Sequence, residues 1–549
     1  MRLFRNKTKS KPSSSSEPSL DHLEPKTTLR SSIDSAPTPS SSPAPSGSDQ
    51  DDSNASLKIS FGSPENLRSS FAETTAMTQS SAESAIENRG SFLLTRSISS
   101  LGASFSESFR SSNSRIFLQE YDTSVDLDPF EENKASLESS ISTLTWFEGD
   151  AYEAVHVIRS RIYDILRANP WLLGSLRGSS PMRLEYDSEV EPDESDLDKV
   201  FQFFSFRDDG PDLTGSLVYG MQLTDMIRVA QLYDLILEPS KRLVNTNKSL
   251  FKISLVPESR DLKRFALIVS LCHRIGDGCT FYNIYQMLDP NSEIHALNPV
   301  RKTDVLESIE TLMNKKMEEG LTGAFVKLIF VRDKMRSSLR NSLGPGGPTF
   351  NQRLFLLDPS YLHDIKVQHD PLQCPFNCPY ISTNDVIVSN CFNVSKPDFA
   401  MMAINFRGKV PNCDTYDASN YINAVIYGDT DYATPQAIRK SISGNIFEPV
   451  SGSKTKSQLN AANNLVKDIH LSICTNWVTF APKEGLSLGS NFEQTIHLPL
   501  KDMSYAPPNL VSNFTIFAPW KNAIGVAVSG TPEMVNEFAN QPMVLREIV

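Results

Sequence analysis

A continuous apolar run from Phe265 to Leu271 constrains the fold of this chain more than any other feature of its sequence. A strand that is apolar at every position is typical of the centre of a sheet that is covered on both faces. Residues 250–256 alternate instead, as a half-buried strand does. Earlier, Ala151 to Leu166 carries its apolar residues on one helical face and ends at Asn169-Pro170. Interleaved strands and helices predict an α/β fold.

The second half of the chain repeats this mixture. Expected helices lie at 280–289, 304–340, 384–392, 434–442 and 454–469, and expected strands at 399–406, 474–480, 494–498, 513–517 and 524–528. The Gly/Pro-rich stretch 343–348 is typical of a crossover linker. We therefore expect two α/β lobes, 113–342 and 343–549, each a mixed sheet flanked by helices.

Residues 1–112 differ in composition from the rest of the 549-residue chain. They are rich in serine and proline and show no apolar periodicity, so they cannot bury enough surface to offset the entropy of ordering. We expect a disordered tail. A phosphorylation-controlled arm, with Arg96-Ser97 or Arg110-Ser111 as sites, is the functional alternative.

Charge and hydropathy exclude several classes of protein. The net charge of −12 argues against nucleic acid as the main partner, because phosphate binding needs a basic face. No apolar run reaches the ~18–20 residues that span a bilayer. The basic start lacks the apolar segment of a secretory signal, although an organelle transit peptide stays open. We expect a cytoplasmic protein.

The seven cysteines predict neither a disulfide framework nor a metal site. Cys374 and Cys378 form the only close pair outside the region of His273, and a zinc site would need a second pair at similar spacing. Ordinary reduced thiols are the simpler interpretation, and no metal is expected.

The segment that follows the apolar run carries the candidate chemistry. His273 comes directly after a predicted buried strand, where a neutral imidazole can serve as a general base near pH 7. Asp277 and Gly278 follow at the start of a predicted helix, where they could be only an N-cap and a turn residue. A thiol nucleophile is disfavoured, since Cys272 should face away from His273 and Cys279 should pack at the helix start.

The pattern His-x-x-x-Asp-Gly should arise by chance in roughly a few per cent of chains with this many histidines. With it, the chain resembles the superfamily of CoA-dependent acyltransferases. That superfamily includes chloramphenicol acetyltransferase, plant BAHD enzymes, fungal trichothecene-type acetyltransferases, wax synthase/diacylglycerol acyltransferases and peptide-synthetase condensation domains. The resemblance covers about residues 113–549 and implies two chloramphenicol-acetyltransferase-like lobes.

Further segments follow the family's order. They are Leu166–Gly174, Ser382–Val386, Ala403–Pro411 with its N-x-R-x-x-x-P pattern, Tyr421–Ala424 in place of Y-G-N-A, and Thr475–Trp477 in place of T-S-W. The plant enzymes carry Asp-Phe-Gly-Trp-Gly after that Trp, whereas this chain reads Glu484–Ser490 with only glycines in common. The chain thus resembles a divergent member of the superfamily, and the changed loop argues against the plant branch.

The resemblance implies a role for each of these residues. His273 is the general base, and Asp277 points away from the substrate and pairs with Arg407. Trp477 and Thr475 line a tunnel near the reacting carbonyl, where either could donate to the oxyanion. Strand packing is an equal alternative for both of them. Asn384 lies beside this tunnel, although helix capping explains it more simply, and Gly278 supports the loop.

The implied reaction is direct transfer of an acyl group from acyl-CoA, as co-substrate, to a hydroxyl or amine of a small-molecule acceptor. No bound cofactor and no acyl-enzyme are needed, and a monomer is expected. Two alternatives stay open. The chain could be a wax-ester or diacylglycerol acyltransferase, with peripheral membrane contact, or a degenerate binding or scaffold protein. The sequence identifies neither the acceptor nor the acyl chain length.

Overall fold

The computed structural model places the described residues within one compact unit, Ser114–Val549. It describes residues 119–133, 139–178, 181–204, 217–258, 261, 263–314, 350–428, 431–443, 447, 470–503 and 511–548. The predicted tail 1–112 with its phosphorylation sites, the linker 343–348 and the helix 454–469 lie outside these residues.

Strands and helices alternate along the chain as predicted. The strands are β1 Thr123–Asp126, β2 Ile141–Glu148, β3 Ser175–Arg177, β4 Arg183–Tyr186, β5 Phe201–Phe203, β6 Phe251–Pro257, β7 Arg264–Leu271, β8 Asn351–Leu357, β9 Phe399–Asn405, β10 Ile422–Tyr427, β11 Leu471–Asn476, β12 Glu493–Pro499, β13 Val511–Phe517, β14 Gly525–Gly530 and β15 Val544–Glu547. The helices are α1 Pro129–Asn133, α2 Ala151–Ala168, α3 Glu194–Val200, α4 Leu223–Leu232, α5 Gly278–Gln286, α6 Thr303–Asn314, α7 Pro359–Val367, α8 Thr383–Ser395, α9 Pro435–Ser441 and α10 Pro532–Ala539.

Two mixed sheets flanked by helices form the fold, which confirms the predicted α/β class and its two lobes. The first sheet has the strand order β12-β2-β7-β6-β5, and the second has the order β10-β9-β11-β13-β14-β8-β15. Each sheet combines parallel and antiparallel pairs. A small antiparallel sheet, β1-β4-β3, lies beside the first lobe.

The first lobe is built around β7, the apolar run of the sequence. Seven of its eight residues are buried, and it pairs with β2 on one side and β6 on the other. Helix α2 covers one face of this sheet through Ile158 and Ile162, which recur at helical spacing. Its first turn is capped by Asp150, whose side chain accepts from the N–H of Tyr152 at 2.8 Å.

One strand does not follow the boundary that the sequence suggests between the lobes. β12 lies well after residue 343, yet it pairs antiparallel with β2 at the edge of the first sheet. The predicted boundary between the lobes at residue 343 stays a prediction. The structure shows in addition that the second half of the chain contributes a strand to the first sheet. A buried cluster that includes Leu144, Ile496, Leu354 and Phe517 joins residues of the two sheets.

One predicted strand is wrong in its bounds. The stretch 474–480 was expected to be extended, but β11 ends at Asn476. Trp477 begins a turn in which the N–H of Phe480 donates to the carbonyl of Trp477 at 3.0 Å. Apolar periodicity does not show such a turn, because its aromatic side chains are packed inward like those of a strand.

Candidate active site

His273 lies in a short turn between the end of β7 and the start of α5. The turn closes with the N–H of Ile275, which donates to the carbonyl of Cys272 at 3.1 Å. Gly276 is the glycine that this turn requires, because a Cβ atom there would lie 2.6 Å from the Cγ2 atom of Thr280. At Gly278, a Cβ atom would meet its neighbours only at ordinary contact distance. The tight position of the loop is therefore Gly276, which the sequence did not single out.

Asp277 has two partners, both of which sequence reasoning had considered. One carboxylate oxygen accepts from the N–H of Thr280 at 3.1 Å, so that Asp277 is the N-cap of α5. The other oxygen forms an ion pair with Arg407 at 2.6 Å. The Asp277 side chain is fully buried and turned toward these partners. It therefore fixes the loop and is not free to contact a substrate.

Arg407 is held by more than the ion pair. Its Nε atom donates to the carbonyl of Asp417 at 2.9 Å, and its Nη2 atom donates to the carbonyl of Ser419 at 2.9 Å. The guanidinium also lies over the ring of Tyr421, 5.2 Å from its centroid. Because a buried charge is stable only when it is paired and hydrogen-bonded, this set of contacts fixes the second-lobe loop against the turn of His273.

A second buried acid, Glu131 in α1, fixes the main chain of His273 through Asn420. The Asn420 side-chain amide donates to the carbonyl of His273 at 2.8 Å and to the Glu131 carboxylate at 2.9 Å. Ser419 and Arg301 bind the same carboxylate, each at 2.8 Å. Burial alone would raise the pKa of Glu131, but the charge of Arg301 and these hydrogen bonds hold it below its usual value. Glu131 is therefore a charged anchor for the turn.

The imidazole of His273 is suited to accept a proton. The residue is partly exposed, while its Nδ1 atom is buried and has no hydrogen-bond partner among the residues that the structure describes. Burial lowers the pKa of His273 below its ordinary value of 6.5, and the positive charge of Lys501 acts in the same direction, whereas Asp277 opposes them. The ring is therefore neutral at pH 7, as a general base must be.

Trp477 lies against the start of the helix that follows His273. It is the first residue after β11, and its N–H donates to the carbonyl of Ile516 at 2.9 Å. A Cβ atom at Gly278 would lie 3.5 Å from the Nε1 atom of Trp477. The indole ring also packs edge-on against Tyr282 of α5, with centroids 6.2 Å apart. The structure thus brings Trp477 to the loop of His273.

Thr475 and Asn384 lie near the same strand end. Thr475 is partly exposed in β11 and lies opposite Thr515 of β13. The side-chain oxygen of Asn384 in α8 accepts from the Nδ2 atom of Asn476, one residue before Trp477, at 2.9 Å. The cap of α8 is Ser382, which forms a capping box with Asp385. Asn384 is therefore tied to the strand end that carries Trp477, and it does not cap the helix.

The cysteines beside the motif are both buried, which suits a nucleophile poorly. Cys272 is buried in the core of the first lobe. Burial raises the pKa of the Cys279 thiol to about 11, so that it stays protonated and unreactive near neutral pH. Within the described part of the chain, no group of three or more His, Cys, Asp or Glu side chains could hold a metal ion. Across those same residues, no helix is long and apolar enough to cross a membrane.

Two further polar residues near the site were not found from the sequence. His497 of β12 lies beneath α5, where its Nε2 atom is 3.0 Å from the hydroxyl of Tyr282 and its Nδ1 atom is 2.8 Å from that of Thr145. Lys501 follows β12 and influences the pKa of His273. Neither belongs to a local motif, and the strand pairing that places them becomes visible only in the folded chain.

The fold and the site together define a two-lobed α/β protein with a neutral histidine in a turn that residues of both lobes hold in place. No known family model matches the sequence, and no curated protein matches it. Several solved structures are similar to this chain. TRI101 of F. sporotrichioides, crystallised with coenzyme A and T-2, is 11% identical with a TM-score of 0.48, and the match covers 78% of this chain and 100% of that one.

Two other solved structures are similar at comparable levels. Vinorine synthase is 9% identical with a TM-score of 0.45, and the match covers 78% of this chain and 93% of that one. Polyketide synthase associated protein 5 from Mycobacterium tuberculosis is 13% identical with a TM-score of 0.42, and the match covers 76% of this chain and 97% of that one.

Proposed function

We propose that the chain is an acyltransferase that moves an acyl group from acyl-CoA to a hydroxyl or amine of a small-molecule acceptor. The observation that carries this proposal is the environment of His273. A partly exposed imidazole with a lowered pKa lies in a turn whose geometry is fixed by the ion pair of Asp277 and Arg407. The order of the His-x-x-x-Asp-Gly, N-x-R-x-x-x-P and Thr475–Trp477 segments along the chain supports the same function.

The mechanism begins with His273 as general base. Its ring takes the proton from the acceptor hydroxyl or amine while the acceptor attacks the thioester carbonyl. A new bond forms to the carbonyl carbon, and the carbonyl oxygen becomes an oxyanion. When the intermediate collapses, the carbon–sulfur bond breaks and His273 returns the proton to the leaving thiolate. No bond forms between the acyl group and the protein.

The remaining catalytic residues would act by orientation and charge stabilisation. Trp477 and Thr475, at the end of β11, would line the approach to the carbonyl, and the indole N–H of Trp477 is a donor suited to the oxyanion. Asp277 and Arg407 act through His273 as positioning residues, and Gly278 leaves room beside Trp477. Holding two substrates in line would supply most of the rate, with the base adding about 10²–10⁴-fold.

The test compares a His273→Ala variant with the wild type in a screen of acyl-CoA thioesters against hydroxyl and amine acceptors. We expect release of the CoA thiol to fall by about 10²-fold or more in the variant, because the proton acceptor is lost. His363→Ala is the matched control, since His363 is exposed on α7 and should leave the rate unchanged. Full thiol release by the His273→Ala variant would overturn the proposal.

A further inference from the structure

Lys501 lies at the same end of the first sheet as His273. Pro499 is the last residue of β12 that pairs with β2, and the N–H of the next residue continues this ladder at 2.8 Å. The register therefore places Lys501 opposite Ile141, and Ile141 in turn lies opposite Leu271, two residues before His273. Residues directly opposite one another in a sheet share a face. Lys501 and His273 thus leave the sheet at the same end.

The main chain of Lys501 also touches the second sheet. Its carbonyl accepts from the Nε2 atom of Gln352 at 2.9 Å, and the same amide donates to the hydroxyl of Ser529 at 3.0 Å. Ser529 lies directly opposite Asn513 in the pairing of β14 with β13. Lys501 is therefore placed where the ends of the two sheets meet, one residue pair away from Asn513.

Asn513 offers a hydrogen-bond donor that the described part of the chain does not use. The residue is 1% exposed, and its Nδ2 atom is buried without a hydrogen-bond partner among these residues. Its Oδ1 atom accepts from the hydroxyl of Thr515 at 3.3 Å, so the amide N–H groups are the part of the side chain that has no partner among the described residues. A buried donor without a partner destabilises the folded state, and an acceptor atom of a bound ligand would remove that cost.

The ammonium group of Lys501 also lacks a partner of opposite charge among the described residues. Among the described residues, no carboxylate lies within ion-pair distance of its Nζ atom, although the side chain is surrounded well enough for burial to lower its pKa to about 8. The residue nevertheless keeps part of its surface accessible, as His273 does. A desolvated cation without a counter-charge is costly, and an anionic ligand would remove that cost.

We propose that Lys501 and Asn513 bind a carboxylate carried by one of the two substrates, and this proposal rests on the acyl transfer proposed above. The ammonium group would match the single negative charge, and the free amide N–H of Asn513 would bind one of the two oxygen atoms. Because Lys501 and His273 leave the sheet at the same end, the carboxylate would lie near the reacting carbonyl. It belongs either to the acceptor or to the acyl group.

The experiment uses substrate pairs that differ by one carboxylate. For the acyl group, the pair is malonyl-CoA and acetyl-CoA with benzyl alcohol as acceptor. For the acceptor, the pair is 4-(hydroxymethyl)benzoate and benzyl alcohol with acetyl-CoA. We expect the wild type to prefer the carboxylate member of one pair, and Lys501→Met to lose about tenfold or more of that ratio of kcat/KM. The pair in which the ratio falls identifies the substrate that carries the carboxylate.

Two further variants separate charge from packing. Lys501→Arg keeps the positive charge and should retain the preference. Lys521→Met is the matched control, because Lys521 is an exposed lysine that pairs with Glu484, and it should leave the ratio unchanged. The proposal is overturned if the wild type shows no preference in either pair, or if the ratio in Lys501→Met stays within about twofold of the wild type.

Calorimetric titration of the same four compounds gives a readout that does not depend on turnover. If no pair releases thiol, the ratio of dissociation constants still tests Lys501, and the acyl-transfer proposal is judged separately by the His273→Ala screen. A preference for malonyl-CoA or 4-(hydroxymethyl)benzoate that disappears in Lys501→Met would support the carboxylate site. Equal binding of both members of each pair would overturn it.

Discussion

His497 shows how a single buried residue can tie stability to pH. Both of its ring nitrogens contact hydroxyl groups, those of Tyr282 and Thr145, and the residue is 3% exposed. Burial lowers its pKa to about 3, so that it stays neutral in the folded state well below pH 6. In the unfolded chain it titrates near its ordinary value of 6.5. Between these two pKa values, the unfolded state binds a proton that the folded state does not.

We therefore expect the free energy of unfolding to fall as pH drops from about 6.5 toward 3, with His497 contributing about 1.4 kcal/mol per pH unit. A His497→Gln variant should lose that part of the slope, because glutamine does not titrate. Urea unfolding at pH 4, 5 and 6 measures the difference. His156→Gln, at an exposed position of α2, is the control. Equal slopes for His497→Gln and the wild type would contradict the assignment.

At this scale, the sequence located residues that belong to local patterns. His273, Asp277 and Gly278 stand together in six positions, and family order pointed to Arg407 and Trp477. The sequence did not identify four residues that act through partners from remote segments, namely Glu131, Asn420, His497 and Lys501. Glu131, for example, binds Asn420, 289 residues further along the chain. Neither spacing nor periodicity carries information about such contacts.

Helix α5 depends at its first turn on a residue that serves two elements at once. Asp277 caps the helix and neutralises Arg407, which lies in the loop after β9. Asparagine at this position could still accept from the N–H of Thr280, so the cap would survive while the ion pair would not. Removing one partner of a buried ion pair leaves an uncompensated charge.

We expect Asp277→Asn to lower the free energy of unfolding by about 3–5 kcal/mol. Asp358→Asn is the matched control, since Asp358 caps α7 by accepting from the N–H of Ser360 at 2.8 Å and has no ion pair among the described residues. This control should cost less than about 1 kcal/mol. Chemical denaturation of both variants gives the comparison. Similar losses in the two variants would show that the ion pair with Arg407 adds little to the stability.

Helices and strands with strong periodicity were predicted well. The apolar run Phe265–Leu271 became β7, and the helix expected at 434–442 became α9, with Thr434 as its cap. The strand expected at 474–480 failed at Trp477, where buried aromatic residues occur in a turn. Burial pattern and backbone conformation are separate properties, and a sequence pattern reports only the first.

At the scale of the whole molecule, the two lobes depend on each other through β12. This strand covers the edge of β2 in the first sheet, although it stands between β11 and β13 of the second. Leu144 and Trp146 of β2 belong to the buried cluster that also contains Ile496 and Leu354. Without the second half of the chain, these apolar side chains and one edge of the sheet would meet water.

We expect a fragment that ends at residue 349 to lack a cooperative thermal transition, because it loses β12 and the apolar contacts of the second lobe. The same fragment with residues 490–503 attached through a flexible linker should regain part of that cooperativity. Near-ultraviolet circular dichroism during heating measures both. A transition in the short fragment that is as sharp as that of the full chain would show that the first lobe folds alone.

The position of β12 also affects how the chain folds while it is being synthesised. The partner strand β2 is synthesised early, whereas β12 emerges more than two hundred residues after β7. At typical rates of translation, the open edge of β2 would wait roughly ten seconds or more for its partner. During that interval the nascent first lobe presents a strand edge able to pair with other chains, so that this protein should depend on chaperone protection late in its synthesis.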